Sequence, residues 1–372
     1  MTSIVALVPA YNEEESIAAT IEALLAQERL PDEIVVIPNG CTDGTSVIAR
    51  NYPVTVFELP KLEHKKPEAL NRAWQQYARE ADIVICLDAD TVLPPNAVGD
   101  WEREFVEQSS TPVRKKFQGV PLGGSSSKFT MLGRGFLTRL QRAEFAAWTD
   151  TALARGYTTV LAGTGCAISG EALRQVVETT QRDGPWSYRS LVEDFELTYQ
   201  IRQLGYRCQV SRTVRAYTDS MKTIPSLWAQ RMKWQVGTVD DLLRLGINRL
   251  TLVDWGQQFM GLAMAFMRVS WVLLMAALLA LDSLVLHWFW LAAVPLAFAG
   301  LQLYSGLRIP HRDRTDVLLS FIIVPSEIFA WLRAGWFLAA WAEVLVSRLT
   351  GHSKDRWHLQ YAAEISTDSK RR

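Results

Sequence analysis

Short apolar runs alternate with helix-periodic stretches along the first part of the chain. Each run is typical of a strand, and in chain order they are SIVALV, EIVVI, VTVFEL and DIVICLD. Between the first two runs, Ile17, Ile21, Leu24 and Leu25 recur at the spacing of one helix face. This alternation predicts an α/β domain whose mostly parallel sheet is covered on both faces.

Polar residues cluster where three of these predicted strands end, at residues 9–14, 39–45 and 88–91. Open α/β sheets bind ligands in the crevice outside the carboxyl ends of their strands. We therefore expect these three segments to form one ligand site.

The chain changes character beyond about residue 250. Residues 260–281 carry a single charged side chain, Arg268, and residues 283–304 contain no acid, lysine or arginine. Each segment is close to the roughly 20 residues that a helix needs to cross a bilayer. The sequence therefore predicts two transmembrane spans, with a pair of buried core helices as the alternative.

A third stretch, residues 317–346, is less uniformly apolar because it contains Pro325, Glu327, Arg333 and Glu343. It is compatible with a kinked span, a re-entrant element or an amphipathic helix lying in the interface.

Positive charge favours the interfacial alternative for this stretch. The basic segments 308–314 and 347–358 prefer the cytoplasmic side, which requires an even number of crossings. We therefore expect two spans, with residues 317–346 along the inner interface and Pro325 at a bend. MTSIVALVPAYNEE lacks the basic start of a signal peptide, so we expect the soluble part to stay in the cytoplasm. Together with the two spans, this predicts a multi-pass cell-membrane protein.

Composition limits the remaining possibilities. The 372 residues include 39 lysines and arginines and 39 aspartates and glutamates, so net charge does not indicate a nucleic-acid partner. The four cysteines, Cys41, Cys86, Cys166 and Cys208, lack the paired spacing of a zinc or redox site, which favours a reduced compartment.

Two aspartates, Asp88 and Asp90, follow the apolar run DIVIC. Like charges so close at a buried strand end require a cation, or one carboxyl must keep its proton. A hard divalent cation such as Mg²⁺ or Mn²⁺ takes one or two carboxylates and the oxygens of a substrate phosphate. The sequence thus predicts a metal site that grips a diphosphate. The alternative is a solvated turn that caps the next helix.

Seven motifs together resemble a known family. In chain order they are VPAYNEEESI, NGCTDGT, KPEALN, LDAD, GTGCAI, VEDFELTYQIRQLGYR and QRMKW. They resemble the family 2 glycosyltransferases, which are membrane-associated, inverting enzymes with the GT-A fold. The resemblance covers residues 4 to about 240. We expect a cytoplasmic GT-A catalytic domain over residues 1–245, a membrane domain over 246–350 and a cytoplasmic tail over 351–372.

The resemblance implies a donor site for a nucleoside-diphosphate sugar. Asp90 would be the direct metal ligand, and Asp88 would contact the ribose or the ion. Asn39 stands where many members carry an acid that contacts the base or ribose, so the base is left open. The full set implied for the donor is Pro9, Tyr11, Glu13, Asn39, Lys66, Asp88 and Asp90.

The resemblance also implies an acceptor side. Asp194 would be the general base that takes the proton of the acceptor hydroxyl. QRMKW matches the motif Q-x-x-R-W with Lys233 in place of arginine, which keeps the charge but loses the bidentate fork. The residues implied for the acceptor and the diphosphate are Gly165, Cys166, Glu193, Gln230, Arg231, Lys233 and Trp234.

The expected activity is metal-assisted single displacement onto a membrane-proximal acceptor, either a lipid-linked glycan or another glycolipid. A processive polysaccharide synthase is an alternative within the same chemistry. A catalytically inactive membrane scaffold is disfavoured because Asp88, Asp90 and Asp194 are all present. A nucleotidyltransferase is disfavoured because PAYNEEES is not a glycine-rich phosphate loop. The oligomeric state is left open.

Overall fold

A computed structural model describes most of the chain. The described residues are 2–107, 117–282, 296–297, 300, 302–304 and 306–368. They group into two compact units.

The first unit comprises Met1–Leu132 and Trp148–Asp219, and the second comprises Gly133–Ala147 and Ser220–Arg372. The division at residues 245 and 350 into catalytic domain, membrane domain and tail concerns function and stays a prediction.

The first unit contains one mixed sheet, which has seven strands in the described part of the chain. Its strands are β1 (Ile4–Ala10), β2 (Glu33–Pro38), β3 (Thr55–Val56), β4 (Ile83–Cys86), β5 (Leu122–Met131), β6 (Cys166–Ser169) and β7 (Arg207–Thr218). The strand order is β3-β2-β1-β4-β6-β5-β7. All neighbours are parallel except β6, which runs antiparallel to both β4 and β5. The predicted mostly parallel sheet is confirmed.

Helices cover both faces of this sheet. They are α1 (Ile17–Leu25), α2 (Thr45–Ala49), α3 (Lys65–Ala73) with a π-helical turn at Trp74–Ala78, α4 (Ala97–Val106), α6 (Gly170–Thr180) and α7 (Glu193–Gln203). Helix α5 (Phe136–Arg155) has residues in both units.

Two buried apolar clusters result from the alternation of side chains along the strands. Leu7 of β1 packs in a cluster with Trp74 and Ile201, whereas Ile4 of the same strand belongs to a second cluster with Ile21 and Trp101. The sheet therefore has a core on each face, as predicted.

The parallel strands bring their carboxyl ends to one edge of the sheet. Ala10 at the end of β1 is the register partner of Pro38 at the end of β2, and Leu7 is the partner of Cys86 at the end of β4. The polar segments that follow these strands therefore begin at the same edge, where the candidate site lies.

The second unit is helical in its described residues. Its further helices are α8 (Ile224–Leu245), α9 (Leu252–Ala280), α10 (Arg314–Phe321), α11 (Ile323–Thr350) and α12 (Arg356–Asp368). Within the described residues, α9 and α11 are long and apolar enough to cross a membrane. Most of the predicted second span, residues 283–304, lies outside the described residues.

The stretch at residues 317–346 is divided between two helices. The chain leaves the helical conformation at Ile322, with φ −80° and ψ 115°, between α10 and α11. The prediction that Pro325 marks a bend in this stretch is wrong, because the helical conformation is interrupted at Ile322 and Pro325 lies in the first turn of α11. The first N–H groups of a helix have no intrahelical partner, so proline is tolerated there.

Helix α10 starts at a network of ion pairs inside the second unit. Asp313 caps the helix, and its carboxylate accepts hydrogen bonds from Arg139 at 2.5 and 2.7 Å. Asp316 is buried and pairs with both Arg139 at 2.9 Å and Arg142 at 3.0 Å. The end of the basic segment 308–314 is thereby fixed to α5.

Candidate active site

A pocket opens in the first unit beside the ends of β1 and β4. Its lining includes both predicted donor residues and predicted acceptor residues. Among the residues that line it are Pro9, Lys66, Gly163, Cys166, Glu193 and Asp194.

Lys66, in the first turn of α3, lies among three carboxylates. Its Nζ is 2.5 Å from Oδ1 of Asp88 and 3.7 Å from Oε1 of Glu193. Burial alone would lower the pKa of this ammonium, but Asp88, Glu193 and Asp194 raise it above its ordinary value. Lys66 is therefore a fixed positive charge in the pocket.

Gly163 provides the space that this ammonium occupies. A Cβ atom at Gly163 would lie 2.8 Å from Nζ of Lys66 and 3.8 Å from both carboxylate oxygens of Asp88. The sequence prediction selected Gly165 and Cys166 from the same turn and missed Gly163. The two glycines of GTG look alike in sequence, and only the fold distinguishes them.

Asp90 is half-buried just past the end of β4. It accepts hydrogen bonds from the hydroxyls of Thr91 at 3.2 Å and Thr218 at 3.3 Å. Burial, together with the charges of Asp88 and Asp219, raises its pKa to about 7. The sequence prediction missed Thr218 and Asp219, although they are polar residues at the end of β7 and directly after it.

The pair Asp88 and Asp90 fits a hard divalent cation. The described residues contain no group of three or more histidine, cysteine or acidic side chains placed to hold a metal. Mg²⁺ commonly binds through only one or two carboxylates and completes its shell with water and phosphate oxygens. The raised pKa of Asp90 reflects burial first and then the repulsion of Asp88 and Asp219, which such an ion would relieve.

Asp194 and Glu193 lie in the first turn of α7, where the helix macrodipole favours negative charge. Oδ1 of Asp194 accepts the N–H of Phe195 at 2.8 Å, and the residue lines the pocket. Glu193 is 6% exposed, so its carboxylate is buried beside Lys66. A base at Asp194 would therefore face the pocket that contains Lys66.

The predicted turn residues Gly165 and Cys166 differ in their surroundings. A Cβ at Gly165 would lie 3.3 Å from Oγ of Ser127 and 3.4 Å from Leu87, so this glycine packs against neighbouring strands. Cys166 is buried opposite Cys86 across the β4–β6 pair. The hydrogen bond with Cys86 and burial raise the pKa of the Cys166 thiol, which argues against a nucleophilic role.

The loop after β1 is hydrogen-bonded to the start of α2. The N–H of Glu13 donates to Oγ1 of Thr45 at 2.8 Å, and Oε2 of Glu13 accepts from Ser16 at 2.6 Å. Tyr11 is half-buried in the same loop. Glu13 thus helps to order the start of α1, and its predicted contact with the nucleotide stays a prediction.

The side chain of Asn39 is buried and makes a hydrogen bond within the protein. Its side-chain carbonyl oxygen accepts the N–H of Leu62 at 3.1 Å, and the residue is 7% exposed. It does not line the pocket described above. Its predicted contact with the base or ribose is therefore not supported by a side chain that faces the ligand site.

The motif QRMKW lies in α8 of the second unit. Arg231 is buried and pairs with Glu144 at 2.9 Å, and its guanidinium carbon is 4.5 Å from the ring centroid of Trp234. Nζ of Lys233 lies 3.3 Å from the ring centroid of Trp357 in α12. Gln230 is half-buried on the same helix. The structure thus places these four residues within the second unit, and their roles toward acceptor and diphosphate stay predictions.

Curated relatives of the chain include two polysaccharide synthases. Poly-beta-1,6-N-acetyl-D-glucosamine synthase of Staphylococcus epidermidis is 27% identical over 242 residues, which are 64% of this chain and 55% of the relative. The synthase of the same name from Staphylococcus aureus strain COL is 28% identical over 242 residues, with the same coverage. The chain thus spans about half the length of the curated relatives it matches.

A solved structure shares the fold. A mannosyltransferase from Pyrobaculum calidifontis, determined in complex with GDP-mannose and Mn²⁺, superimposes with a TM-score of 0.60 at 19% identity. The match covers 92% of this chain and 86% of that enzyme. It supports an α/β fold of the GT-A type followed by long apolar helices, as the sequence predicts.

Family profiles match most of the chain. The family described as Glycosyl transferase family 2 matches residues 5–145, and Glycosyl transferase family group 2 matches residues 83–303. The second match alone covers more than half of the chain. The chain therefore belongs to the family 2 glycosyltransferases, which confirms the resemblance seen in its motifs.

Proposed function

We propose that the protein is an inverting glycosyltransferase that moves a sugar from a nucleoside-diphosphate sugar to a membrane-proximal acceptor. The observation that carries the proposal is the pocket lined by Lys66 and Asp194, in which Lys66 also pairs with Asp88. A cationic group beside a carboxylate pair suits a diphosphate, and a separate carboxylate suits the acceptor hydroxyl.

In the proposed reaction, Asp194 takes the proton of the acceptor hydroxyl as that oxygen attacks the anomeric carbon. The bond between this carbon and the diphosphate oxygen breaks on the opposite face. The products are the glycosylated acceptor with inverted configuration and the nucleoside diphosphate. Lys66 stabilises the negative charge that grows on the leaving diphosphate.

Asp88 and Asp90 would hold a divalent cation, Mg²⁺ or Mn²⁺, which when bound neutralises negative charge on the leaving group. Support comes from their donor set, which consists of oxygen atoms alone, and from the raised pKa of Asp90. The Pyrobaculum mannosyltransferase, which shares the fold, binds Mn²⁺ together with GDP-mannose.

A processive polysaccharide synthase is the second candidate, because the curated relatives are named as synthases of poly-N-acetylglucosamine. The two functions differ in their products. We expect a panel of UDP- and GDP-sugars, incubated with the protein and a membrane lipid extract, to yield a lipid that gains one sugar, detected by mass spectrometry. A ladder of products differing by one sugar would favour the synthase, and no sugar-bearing product from any donor would contradict both.

Asp90→Asn is expected to abolish cation-dependent binding of UDP or GDP, because a neutral amide is a poor ligand for a hard cation. Calorimetric titration with Mg²⁺ or Mn²⁺ measures this binding. Asp82 precedes β4 at its opposite end and accepts the hydroxyl of Ser3 at 3.0 Å, so Asp82→Asn is the matched control. Undiminished binding by a folded Asp90→Asn protein would remove Asp90 from the cation site.

Asp194→Asn is expected to leave donor binding near normal and to lower transfer by roughly 10²-fold or more, as for the loss of a general base. Parallel measurements of nucleotide affinity and turnover test this separation. Glu171→Gln is the control, since Glu171 is an exposed acid in the first turn of α6. A parallel fall in affinity and turnover would assign Asp194 a structural role.

We also propose that the protein is anchored in the cell membrane with its catalytic part in the cytoplasm, where nucleotide sugars are available. Support comes from the length and apolar composition of α9, which suit a span, and from the apolar composition of α11. In this arrangement the first span runs outward, the second returns, and residues 317–346 lie along the inner interface near the lipid-borne acceptor.

The topology is tested by single cysteines at Asp282 and Ser353, in a background in which the four native cysteines are replaced. An impermeant thiol reagent applied to intact cells should label position 282 and spare position 353. Labelling at both positions would mean that residues 317–346 cross the bilayer, and the interfacial placement would be wrong.

A further inference from the structure

We propose that Glu193 and Gly163 are positioning residues that together fix the Lys66 ammonium in the pocket. The inference rests on the proposed function, because it assigns Lys66 to the diphosphate of the donor. It adds Gly163, which lies in the motif GTGCAI without a role implied by the resemblance, and it gives Glu193 a defined action through Lys66.

Glu193 holds Lys66 from the α7 side of the pocket. Its carboxylate is almost completely buried, and Oε1 lies 3.7 Å from Nζ of Lys66. A buried carboxylate is costly unless a cation compensates it, so this pair is strongly interdependent. Glu193 lies at the start of a helix that packs into the core, which fixes its backbone.

Gly163 borders the Lys66 ammonium on another side of the pocket and leaves room for it. An added Cβ would approach Nζ to 2.8 Å, closer than real Cβ contacts allow, and the next neighbours are Asp88 oxygens at 3.8 Å. The closest atom is the end of a flexible lysine side chain. A methyl group there would displace the ammonium without disturbing the backbone.

The two carboxylates that contact Lys66 directly, those of Asp88 and Glu193, have different surroundings. Asp88 lies at the strand end and is about one third exposed, whereas the Glu193 side chain is 8% exposed. An incoming diphosphate is an anion and competes with Asp88 for the ammonium. Glu193 keeps its contact during this exchange and holds Lys66 beside the site.

The test is a set of double-mutant cycles with Lys66→Met. Glu193→Gln and Gly163→Ala should each lower kcat/KM for the donor by about tenfold to 10²-fold, the loss expected when a group is misplaced by about 1 Å. In the Lys66→Met background, neither change should lower kcat/KM or nucleotide affinity further, because both act through Lys66.

Three controls separate positioning from folding. Gly163→Ala should retain the melting temperature of the wild type, because only a flexible side chain must move. Gly99→Ala places a Cβ 3.5 Å from its nearest neighbour, an ordinary contact, and should leave kcat/KM unchanged. Glu171→Gln serves as the exposed acidic control.

The outcomes distinguish this inference from the proposed function. Effects of Glu193→Gln or Gly163→Ala that add to those of Lys66→Met, or wild-type kcat/KM in Gly163→Ala, would overturn the positioning role alone. A wild-type protein that binds no nucleoside diphosphate and transfers no sugar would overturn the proposed function and this inference together.

Discussion

The contact between Lys66 and Asp88 is the interaction on which the candidate site depends. The carboxyl end of β4 concentrates negative charge: burial is the main cause of the raised pKa of Asp90, and the charges of Asp88 and Asp219 raise it further. Glu193 and Asp194 add two carboxylates from the start of α7. Such a group of acids needs a positive charge among them, unless one carboxyl keeps its proton. Lys66 supplies this charge within the protein, and its place is set by the parallel sheet, by α7 and by the absence of a side chain at Gly163.

The parallel half of the sheet could be predicted from sequence because its signals are local. Alternating apolar runs and helical periodicity identify β1, β2, β3 and β4 without reference to distant residues. The other half depends on long-range pairing: β6 inserts antiparallel between β4 and β5, far from both in sequence. No local pattern encodes such a pairing. The positions of Gly163, Thr218 and Asp219 beside β4 follow from it, so they were missed.

Residue roles were harder to predict than secondary-structure elements. A polar residue at a strand end can either face a ligand or satisfy a hydrogen-bonding group inside the protein. Asn39 shows the difficulty, since its side chain accepts the N–H of Leu62 and satisfies a backbone group inside the protein. Lys66 has an equally simple sequence context, beside a second lysine, yet the fold directs it into the pocket. Hydrogen-bond partners that are remote in sequence decide between these uses.

The same dependence on partners applies to the charges in residues 317–346. Glu327, Arg333 and Glu343 make this stretch less suited to a bilayer when it is considered alone. Within the second unit, however, each of them has a partner: Glu327 pairs with Arg268 of α9, Arg333 with Glu144 at 3.0 Å, and Glu343 with Arg356. Gln258 of α9 likewise accepts a hydrogen bond from Trp341 of α11 at 3.2 Å. A paired charge costs less to remove from water than an isolated one. The number of charged residues therefore overstates the cost of placing α11 in an apolar surrounding.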